Sequence, residues 1–204
     1  ENSKYYNFIA NRYDDYRGRP EWPEKSRLQQ QAFATSKGYK KKAASVYYKI
    51  IKGYPNYSRL CEAYYFLGKN LFEMGKQKAA LNVFRPMISK FRFPACPFVP
   101  NAYLSFGEYY FNNGQVQHAM KSYQQVLTFR NASIYGFALY KIAWCYYNLV
   151  KYRTSLKHFI AVVNYAKRAS AVGGNQRRRL ALLKEALRDL VMAYSQIGSE
   201  QEAR

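Results

Sequence analysis

The chain has 204 residues, of which 49% are hydrophobic and 18% aromatic, so it can bury a core and is not disordered. No stretch approaches the ~18 uninterrupted apolar residues that a membrane-spanning helix needs. Its 33 Lys and Arg against 12 Asp and Glu give a net charge of +21. Such a charge attracts nucleic acid, phospholipid headgroups, anionic glycans or acidic proteins, and the plain alternative is that it serves only solubility.

The first 23 residues fit no repeat and are predicted to form an irregular segment. Pro20 and Pro23 oppose a long helix there, because proline has no backbone N–H to donate. Four apolar or aromatic side chains earlier in the segment offer surface for burial: Tyr5, Tyr6, Phe8 and Ile9. We therefore expect the segment to pack as a cap on the first repeat, with an ordered tail as the alternative.

From residue 24 onwards, small, glycine and aromatic residues recur at fixed offsets. A small or aliphatic residue opens each copy, at Gly68, Gly107, Ala143 and Val191. Seven residues later come Gly75, Gly114, Val150 and Gly198. Five residues further on stand Ala80, Ala119, Ser155 and Ala203. Aromatic residues follow four positions later, at Phe84, Tyr123 and Phe159. An earlier and degenerate copy is marked by Gly38, Ala43, Tyr47 and Pro55.

These offsets resemble the tetratricopeptide pattern, and the resemblance implies pairs of helices joined by tight turns. Small residues let the two helices of a pair approach closely, and the aromatic ring fills the space beside them. Gly75, Gly114 and Gly198 suit left-handed C-caps that turn the chain between the helices. Val150 occupies the same position without the freedom of glycine, so we expect a tighter or distorted turn there. Extra length falls in loops at 91–100 and 169–176, and the second loop is predicted to be the more flexible.

This grid resembles the tetratricopeptide repeat family over about residues 24–204. The resemblance implies an all-α fold, a right-handed superhelical solenoid of helix-turn-helix repeats. We expect an irregular N-terminal segment or cap at 1–23 and a repeat array at 24–204, with about four repeats and the start of a fifth. Because the array ends inside a repeat, further repeats are expected after residue 204.

Residues that carry enzyme chemistry are scarce. His118 and His158 are the only histidines, and each lies on the second helix of a repeat with no acid close in sequence, so packing is their expected role. Gly173-Gly174 lacks the spacing of a phosphate-binding loop, and the three cysteines form no metal-binding pair. The odd number of cysteines argues against a disulfide framework. We therefore predict a non-enzyme with no catalytic residue, cofactor or metal.

In the tetratricopeptide family, the first helix of each repeat lines a concave groove. Transferring those positions predicts a partner-binding groove at Tyr65, Lys69, Phe72, Phe111, Phe137, Tyr140, Trp144 and Tyr147. Rigid aromatic side chains are good binding anchors. The alternative, which the sequence favours equally, is that Phe137, Tyr140 and Trp144 pack against neighbouring helices. A clamp for terminal carboxylates is not expected, since Lys69 and Ser105 stand where that subfamily has asparagines.

A second surface is predicted from the distribution of charge. From Met74 to Lys184, Glu108 is the only acid against seventeen Lys and Arg. A solvated helix face normally mixes both signs for i,i+4 pairing, and here the acids are almost absent. Cations in the turns, the second helices and the last loop form a predicted basic edge: Lys76, Lys78, Arg85, Lys121, Lys151, Arg153, Lys157, Arg177, Arg178 and Arg179.

Three segments carry a narrower resemblance: YPNYSRLCEAYYFLGKNLFEMG, VPNAYLSFGEYYFNNGQ and YGFALYKIAWCYYNL. They are similar to bacterial cell-envelope members of the family: the outer-membrane assembly lipoprotein, the Tol-associated cell-division coordinator and gliding-motility repeat proteins. This resemblance implies a scaffold that binds other proteins of an envelope complex, in the periplasm or at the periplasmic face of the outer membrane. The basic edge would then approach lipid headgroups, glycans or an acidic protein. The alternative is a helical repeat that binds nucleic acid, in which outward Lys and Arg contact phosphates.

Overall fold

The computed structural model describes residues 1–170 and 176–202, and these ranges contain nine α-helices, one short 3-10 helix and no strand. The all-α class predicted from the sequence is confirmed. In the order of the chain the helices are α1 (Asn2–Arg12), the 3-10 helix (Tyr13–Tyr16), α2 (Trp22–Gly53), α3 (Leu60–Glu73), α4 (Gln77–Lys90), α5 (Val99–Asn112), α6 (Val116–Leu127), α7 (Tyr135–Asn148), α8 (Tyr152–Ser170) and α9 (Gln176–Glu202). Among the described residues, no helix is both long and apolar enough to cross a bilayer.

The chain divides into two compact units, Glu1–Phe91 and Arg92–Arg204. In the first unit, α1 packs on α2, α2 on α3, and α3 on α4. In the second unit, each helix from α5 to α9 packs on the next one along the chain, and α7 also contacts α9. Contact between consecutive helices is the pattern expected of helix-turn-helix repeats, whose cores are buried between neighbours.

The N-terminal segment is more regular than the sequence predicts, because Asn2–Arg12 forms a helix. The two prolines do not interrupt it: Pro20 follows the 3-10 helix, and Pro23 stands in the first turn of α2, where a missing N–H costs nothing. Polar contacts fix α1 on α2. The side-chain amide nitrogen of Gln29 donates to the backbone carbonyl oxygen of Ala10 at 3.0 Å, and the hydroxyl of Ser36 donates to the backbone carbonyl oxygen of Ser3 at 2.9 Å.

Helix α2 corrects a second expectation, since the degenerate repeat around Gly38 contains no turn. The helix runs without interruption through its 32 residues, and Gly38 lies near its middle. A glycine inside a helix costs ~1 kcal/mol relative to alanine but does not end it. A Cβ at Gly38 would meet no other atom within 4 Å, so no close packing requires this glycine.

The predicted contact between small residues and aromatic rings is present in both units. A Cβ at Gly68 in α3 would lie 2.4 Å from Cε1 of Phe84 in α4. A Cβ at Gly107 in α5 would lie 2.3 Å from Cε1 of Tyr123 in α6. Each ring therefore occupies the space that a larger residue on the preceding helix would need. In the third helix pair the same two positions, Ala143 and Phe159, are both completely buried.

The turns between paired helices share one geometry, and Val150 follows it. Gly75 and Gly114 adopt left-handed conformations with φ of 79° and 72°, and Val150 has φ of 60°. The backbone N–H of Lys151 bonds to the carbonyl of Tyr146 at 3.0 Å, as Lys76 does to Leu71 at 2.9 Å. The expectation of a distorted turn is therefore wrong, because valine accepts the strained conformation that the turn demands. Gly198 does not end a helix, since α9 continues to Glu202.

The cysteines differ from the sequence-based expectation. Cys145 is a free thiol that is completely buried in α7, and burial raises its pKa to about 12. Cys61 and Cys96 are both disulfide-bonded. An odd number of cysteines excludes complete pairing but does not exclude a disulfide, so the expectation drawn from the odd count is wrong for Cys61 and Cys96.

We expect Gly68→Ala to lower the free energy of unfolding by about 1–3 kcal/mol or more, because the new methyl group overlaps the ring of Phe84. The control is Gly38→Ala, which places the same methyl group in open space on α2 and should raise stability by about 0.5–1 kcal/mol. Urea denaturation followed by circular dichroism measures both changes. If Gly68→Ala proved as harmless as Gly38→Ala, the ring contact would not limit the approach of the two helices.

Val150→Gly should stabilise the protein by about 0.5–1 kcal/mol, since a left-handed valine costs ~1–2 kcal/mol and the entropy lost by glycine offsets part of the gain. The reverse change at an equivalent turn, Gly114→Val, should destabilise it. Midpoints of thermal unfolding test this pair. A lower midpoint for Val150→Gly would mean that the valine side chain makes a stabilising contact that outweighs its backbone strain.

Candidate partner-binding surfaces

The predicted groove positions in the first unit lie on α3 and differ in exposure. Tyr65 is half-buried, its ring lies 6.3 Å from that of Phe84, and burial raises the pKa of its hydroxyl. Phe72 is also half-buried. Lys69 is exposed, and its ammonium lies 3.8 Å from a carboxylate oxygen of Glu73. Of these three side chains on α3, Lys69 is therefore the most exposed.

A cleft of about 630 Å³ opens beside Lys69, between α1, α2 and α3. Its aromatic wall includes Tyr47 and Phe66, whose rings stack with their centres 5.9 Å apart. Lys40 of α2 lies at its base, where the side chain is only 10% exposed and the ammonium is 3.0 Å from Glu73. Glu73 thus contacts two of the four lysines that line the cleft, Lys40 and Lys69, and neutralises part of their charge.

In the second unit, Glu108 of α5 joins three helices. The hydroxyl of Tyr123 in α6 donates to its carboxylate at 2.7 Å, and the ammonium of Lys141 in α7 lies 3.2 Å away. The same ammonium lies 5.3 Å from the ring centre of Phe111 and 5.2 Å from that of Phe137. Two predicted groove aromatics are therefore held on either side of Lys141, a residue that the sequence analysis did not select.

A second carboxylate, Asp189 of α9, organises the aromatic residues of α7. The hydroxyl of Tyr140 donates to its Oδ2 at 2.5 Å, and Nε1 of Trp144 donates to the same oxygen at 3.2 Å. Asp189 is only 3% exposed, and Nε of Arg188 lies 3.0 Å from its other oxygen. Burial, followed by the bond to Asp189, raises the pKa of Tyr140 to about 12. Tyr140 and Trp144 thus connect α7 to α9.

Asp189 was not among the site residues predicted from the sequence, although its position carried a signal. Along α9, Ala186, Ala193 and Ile197 form the buried stripe, and Asp189 stands on that stripe three residues after Ala186. An acid among buried positions needs hydrogen-bond donors, because an unpaired buried charge is costly. The sequence could not show which donors those are, since Tyr140 and Trp144 are more than forty positions away.

The four predicted groove aromatics of α7 have different surroundings. Tyr140 is buried, with 8% of its surface exposed, and packs edge-on against the buried Phe159. Phe137, Trp144 and Tyr147 are half-buried and keep part of each ring accessible. These three side chains can contact a partner, whereas Tyr140 contributes mainly to the packing of its own unit.

A second cleft, of about 610 Å³, lies beside Phe137 among α7, α8 and α9. Its lining combines the apolar side chains of Phe137, Tyr165 and Leu182 with the exposed carboxylate of Glu185. A Cβ at Gly136 would lie 2.4 Å from Cε1 of Tyr165, so the tyrosine ring occupies the space beside this glycine. The cleft thus offers an apolar pocket next to one of the accessible groove aromatics.

The predicted basic edge is solvent-exposed wherever its side chains are described. In the first unit these are Lys76, Lys78 and Arg85. In the second unit they are Lys121, Lys151, Arg153 and Lys157. Among the described residues none of these seven forms an ion pair. Arg177, Arg178 and Arg179 belong to the first turn of α9, and their side chains lie outside the described part of the chain.

Both histidines contact tyrosine rings. His158 stacks on Tyr146 with ring centres 4.7 Å apart, and burial lowers its pKa. His118 lies 5.4 Å from the ring of Tyr110. Within the described ranges, no group of three His, Cys, Asp or Glu side chains is close enough to hold a metal ion.

Comparison with known proteins identifies the fold. No protein-family model matches the chain, and no curated protein sequence matches it. It is similar to two crystal structures of a candidate kinesin light chain of Podosopora anserina with nearly identical TPR-like repeats. The TM-scores are 0.52 and 0.51 and the identities 13% and 14%, and each match covers 100% of this chain and 91% of the other. At such identities the similarity shows the fold alone, which is all-α with TPR-like repeats.

We expect Asp189→Ala to lower the free energy of unfolding by about 1–3 kcal/mol, because it leaves the buried hydroxyl of Tyr140 and the indole N–H of Trp144 without their acceptor. Glu185→Ala removes the same charge from an exposed position on α9 and should change stability by less than ~0.5 kcal/mol. Denaturation followed by tryptophan fluorescence compares them. Equal effects of the two changes would show that net charge, and not the buried acceptor, determines stability here.

Proposed function

We propose that this chain is a non-enzymatic scaffold of the bacterial cell envelope that binds other proteins through the accessible aromatic side chains of its helices. The TPR-like repeat fold is that of a protein-interaction scaffold. The observation that carries the proposal is the anchoring of Phe137, Trp144 and Tyr147 on α7. Lys141 lies against Phe137, and Asp189 holds Trp144.

Anchored aromatic residues suit partner binding for an energetic reason. A side chain that is already held in one position loses little conformational entropy when a partner covers it, so more of the contact energy appears as affinity. Trp144 and Tyr147 also contact one another, with ring centres 5.3 Å apart. The 610 Å³ cleft beside Phe137 offers a pocket for an apolar side chain of the partner.

The absence of a catalytic role is also part of the proposal. The free thiol of Cys145 is completely buried and its pKa is about 12, so it is not a thiolate at neutral pH. The best-formed polar clusters, around Glu108 and Asp189, tie neighbouring helices together through Tyr, Trp and Lys donors. They support a structural use of these carboxylates and not acid–base chemistry.

We further propose that the protein works in the periplasm or at the periplasmic face of the outer membrane. Cys61 and Cys96 are disulfide-bonded, and disulfides form and persist in oxidising compartments such as the bacterial periplasm. The exposed lysines and arginines of the predicted basic edge would face anionic headgroups, glycans or an acidic partner there. The same cations keep nucleic-acid binding open as the second candidate function, because none of those described forms an ion pair.

In the test, the tagged full chain is first incubated with an extract of its native host, with or without nuclease. The proteins that bind to it are then identified and purified. The affinity of each purified partner is then compared between the parent chain and the double variant Phe137→Ala with Tyr147→Ala. We expect affinity to fall by about tenfold or more, as it does for aromatic anchors at other interfaces.

The matched control removes two exposed aromatic residues from the first unit, in the double variant Phe8→Ala with Tyr54→Ala, and should bind partners normally. Equal affinity of both double variants would remove the α7 surface from consideration. Association that disappears with nuclease, and whose affinity falls steeply with salt, would instead establish the nucleic-acid function.

A further inference from the structure

Helix α2 carries a long run of positive charge that the predicted basic edge does not include. Between Glu24 and Glu62 the sequence has nine Lys and Arg and no acid. Six of these cations lie on α2 with exposed side chains, and together they form what we call the α2 basic face: Arg27, Lys37, Lys41, Lys42, Lys49 and Lys52.

The α2 basic face lies opposite the packed side of the helix. At 100° per residue, Arg27, Lys37, Lys41 and Lys52 project within about a quarter turn of one another. Ala32 and Ser36, on the other side, are buried. From Arg27 to Lys52 the face extends for about 38 Å along the helix axis. It is therefore straight, outward-facing and long enough to lie along an extended surface.

The charges of this face have no acidic partners in the described residues. The one ion pair that α2 makes there joins the buried Lys40 to Glu73, on the packed side. Lys37 and Lys41 are four residues apart, and Lys49 and Lys52 are three apart, and like charges at these spacings destabilise a helix. An anionic surface alongside the helix would remove this repulsion.

Aromatic side chains interleave with the lysines. Tyr48 is 50% exposed, and at 100° per residue it projects between Lys37 and Lys41. The ammonium of Lys52 lies 5.1 Å from the ring centre of Tyr48, and that of Lys42 lies 5.8 Å from the ring centre of Tyr39. Aromatic rings and long lysine stems are the side chains that settle at the level of lipid headgroups.

From these observations we infer that the α2 basic face binds the surface of an anionic phospholipid bilayer. The helix lies flat, its lysines contact headgroup phosphates, and Tyr48 enters the headgroup layer. A lipid surface fits better than nucleic acid because five of the six cations are lysines, which lack the planar fork by which arginine binds phosphates and bases. The inference concerns a different helix from the α7 surface and does not depend on the proposed partner binding.

The experiment is co-sedimentation of the full chain with phosphatidylcholine vesicles, with and without phosphatidylglycerol, at low and high salt. We expect binding only to the vesicles that contain phosphatidylglycerol, with an affinity that falls as salt rises. The test variant removes four charges from the α2 basic face: Lys37→Gln, Lys41→Gln, Lys49→Gln and Lys52→Gln. The control variant removes four charges from the second unit: Lys121→Gln, Lys151→Gln, Arg153→Gln and Lys157→Gln.

Each lysine near an anionic bilayer contributes about a fivefold gain in affinity, so the test variant should bind several hundredfold more weakly. The control variant has the same net charge and should bind within a few-fold of the parent chain. Circular dichroism verifies that both variants stay helical, as expected for exposed substitutions. A further variant, Tyr48→Ser, should also weaken vesicle binding although its charge is unchanged.

Three results would overturn the inference. Equal losses in the test and control variants would mean that net charge alone determines binding. An absence of binding to phosphatidylglycerol vesicles would exclude the bilayer. Salt-sensitive binding of a single-stranded oligonucleotide that is lost in the test variant, without vesicle binding, would assign the α2 basic face to nucleic acid.

Discussion

Contact between a glycine of one helix and an aromatic ring of the next is the constraint on which the second unit depends. The ring of Tyr123 occupies the space where a Cβ of Gly107 would be. That close approach brings the hydroxyl of Tyr123 to Glu108, the residue after Gly107, at 2.7 Å. Glu108 in turn holds Lys141, which lies between the rings of Phe111 and Phe137. The packing contact therefore also determines where two of the predicted binding aromatics stand.

The chain has few acids, and several of them connect neighbouring helices. Several of the described carboxylates contact neighbouring helices: Glu73 binds Lys40, Glu108 binds Lys141, and Asp189 binds Tyr140. Buried or half-buried carboxylates require such donors, because an unpaired charge away from water is costly. The exposed cations that these acids also contact, Lys69 and Arg188, lie on α3 and α9 and not on α2. The lysines of the α2 basic face therefore remain unmatched among the described residues.

The sequence predicted the parts of the fold that depend on short-range spacing. A glycine seven residues after a small residue marks the turn of a helix pair, and an aromatic residue follows nine positions after that glycine. These offsets alone locate the helix pair. The continuity of α2 was not predictable in this way, because Gly38 and the nearby small residues satisfy the pattern without forming a turn. Val150 shows the opposite case, in which the tertiary contacts of the helix pair impose the left-handed turn on an unfavourable residue.

Short-range spacing also predicts some properties of the candidate binding residues and not others. Position in a repeat predicts which side of a helix a residue occupies, and it placed Phe137, Tyr140 and Trp144 together on α7. It could not predict that α9 would supply a buried acceptor, because the contact between Trp144 and Asp189 joins residues 45 positions apart. Stability and binding are therefore coupled at Tyr140, where any substitution also removes an internal hydrogen bond. At Phe137 and Tyr147, which pack half-buried against the same core, and at the exposed lysines of α2, a substitution removes no hydrogen bond to a described carboxylate.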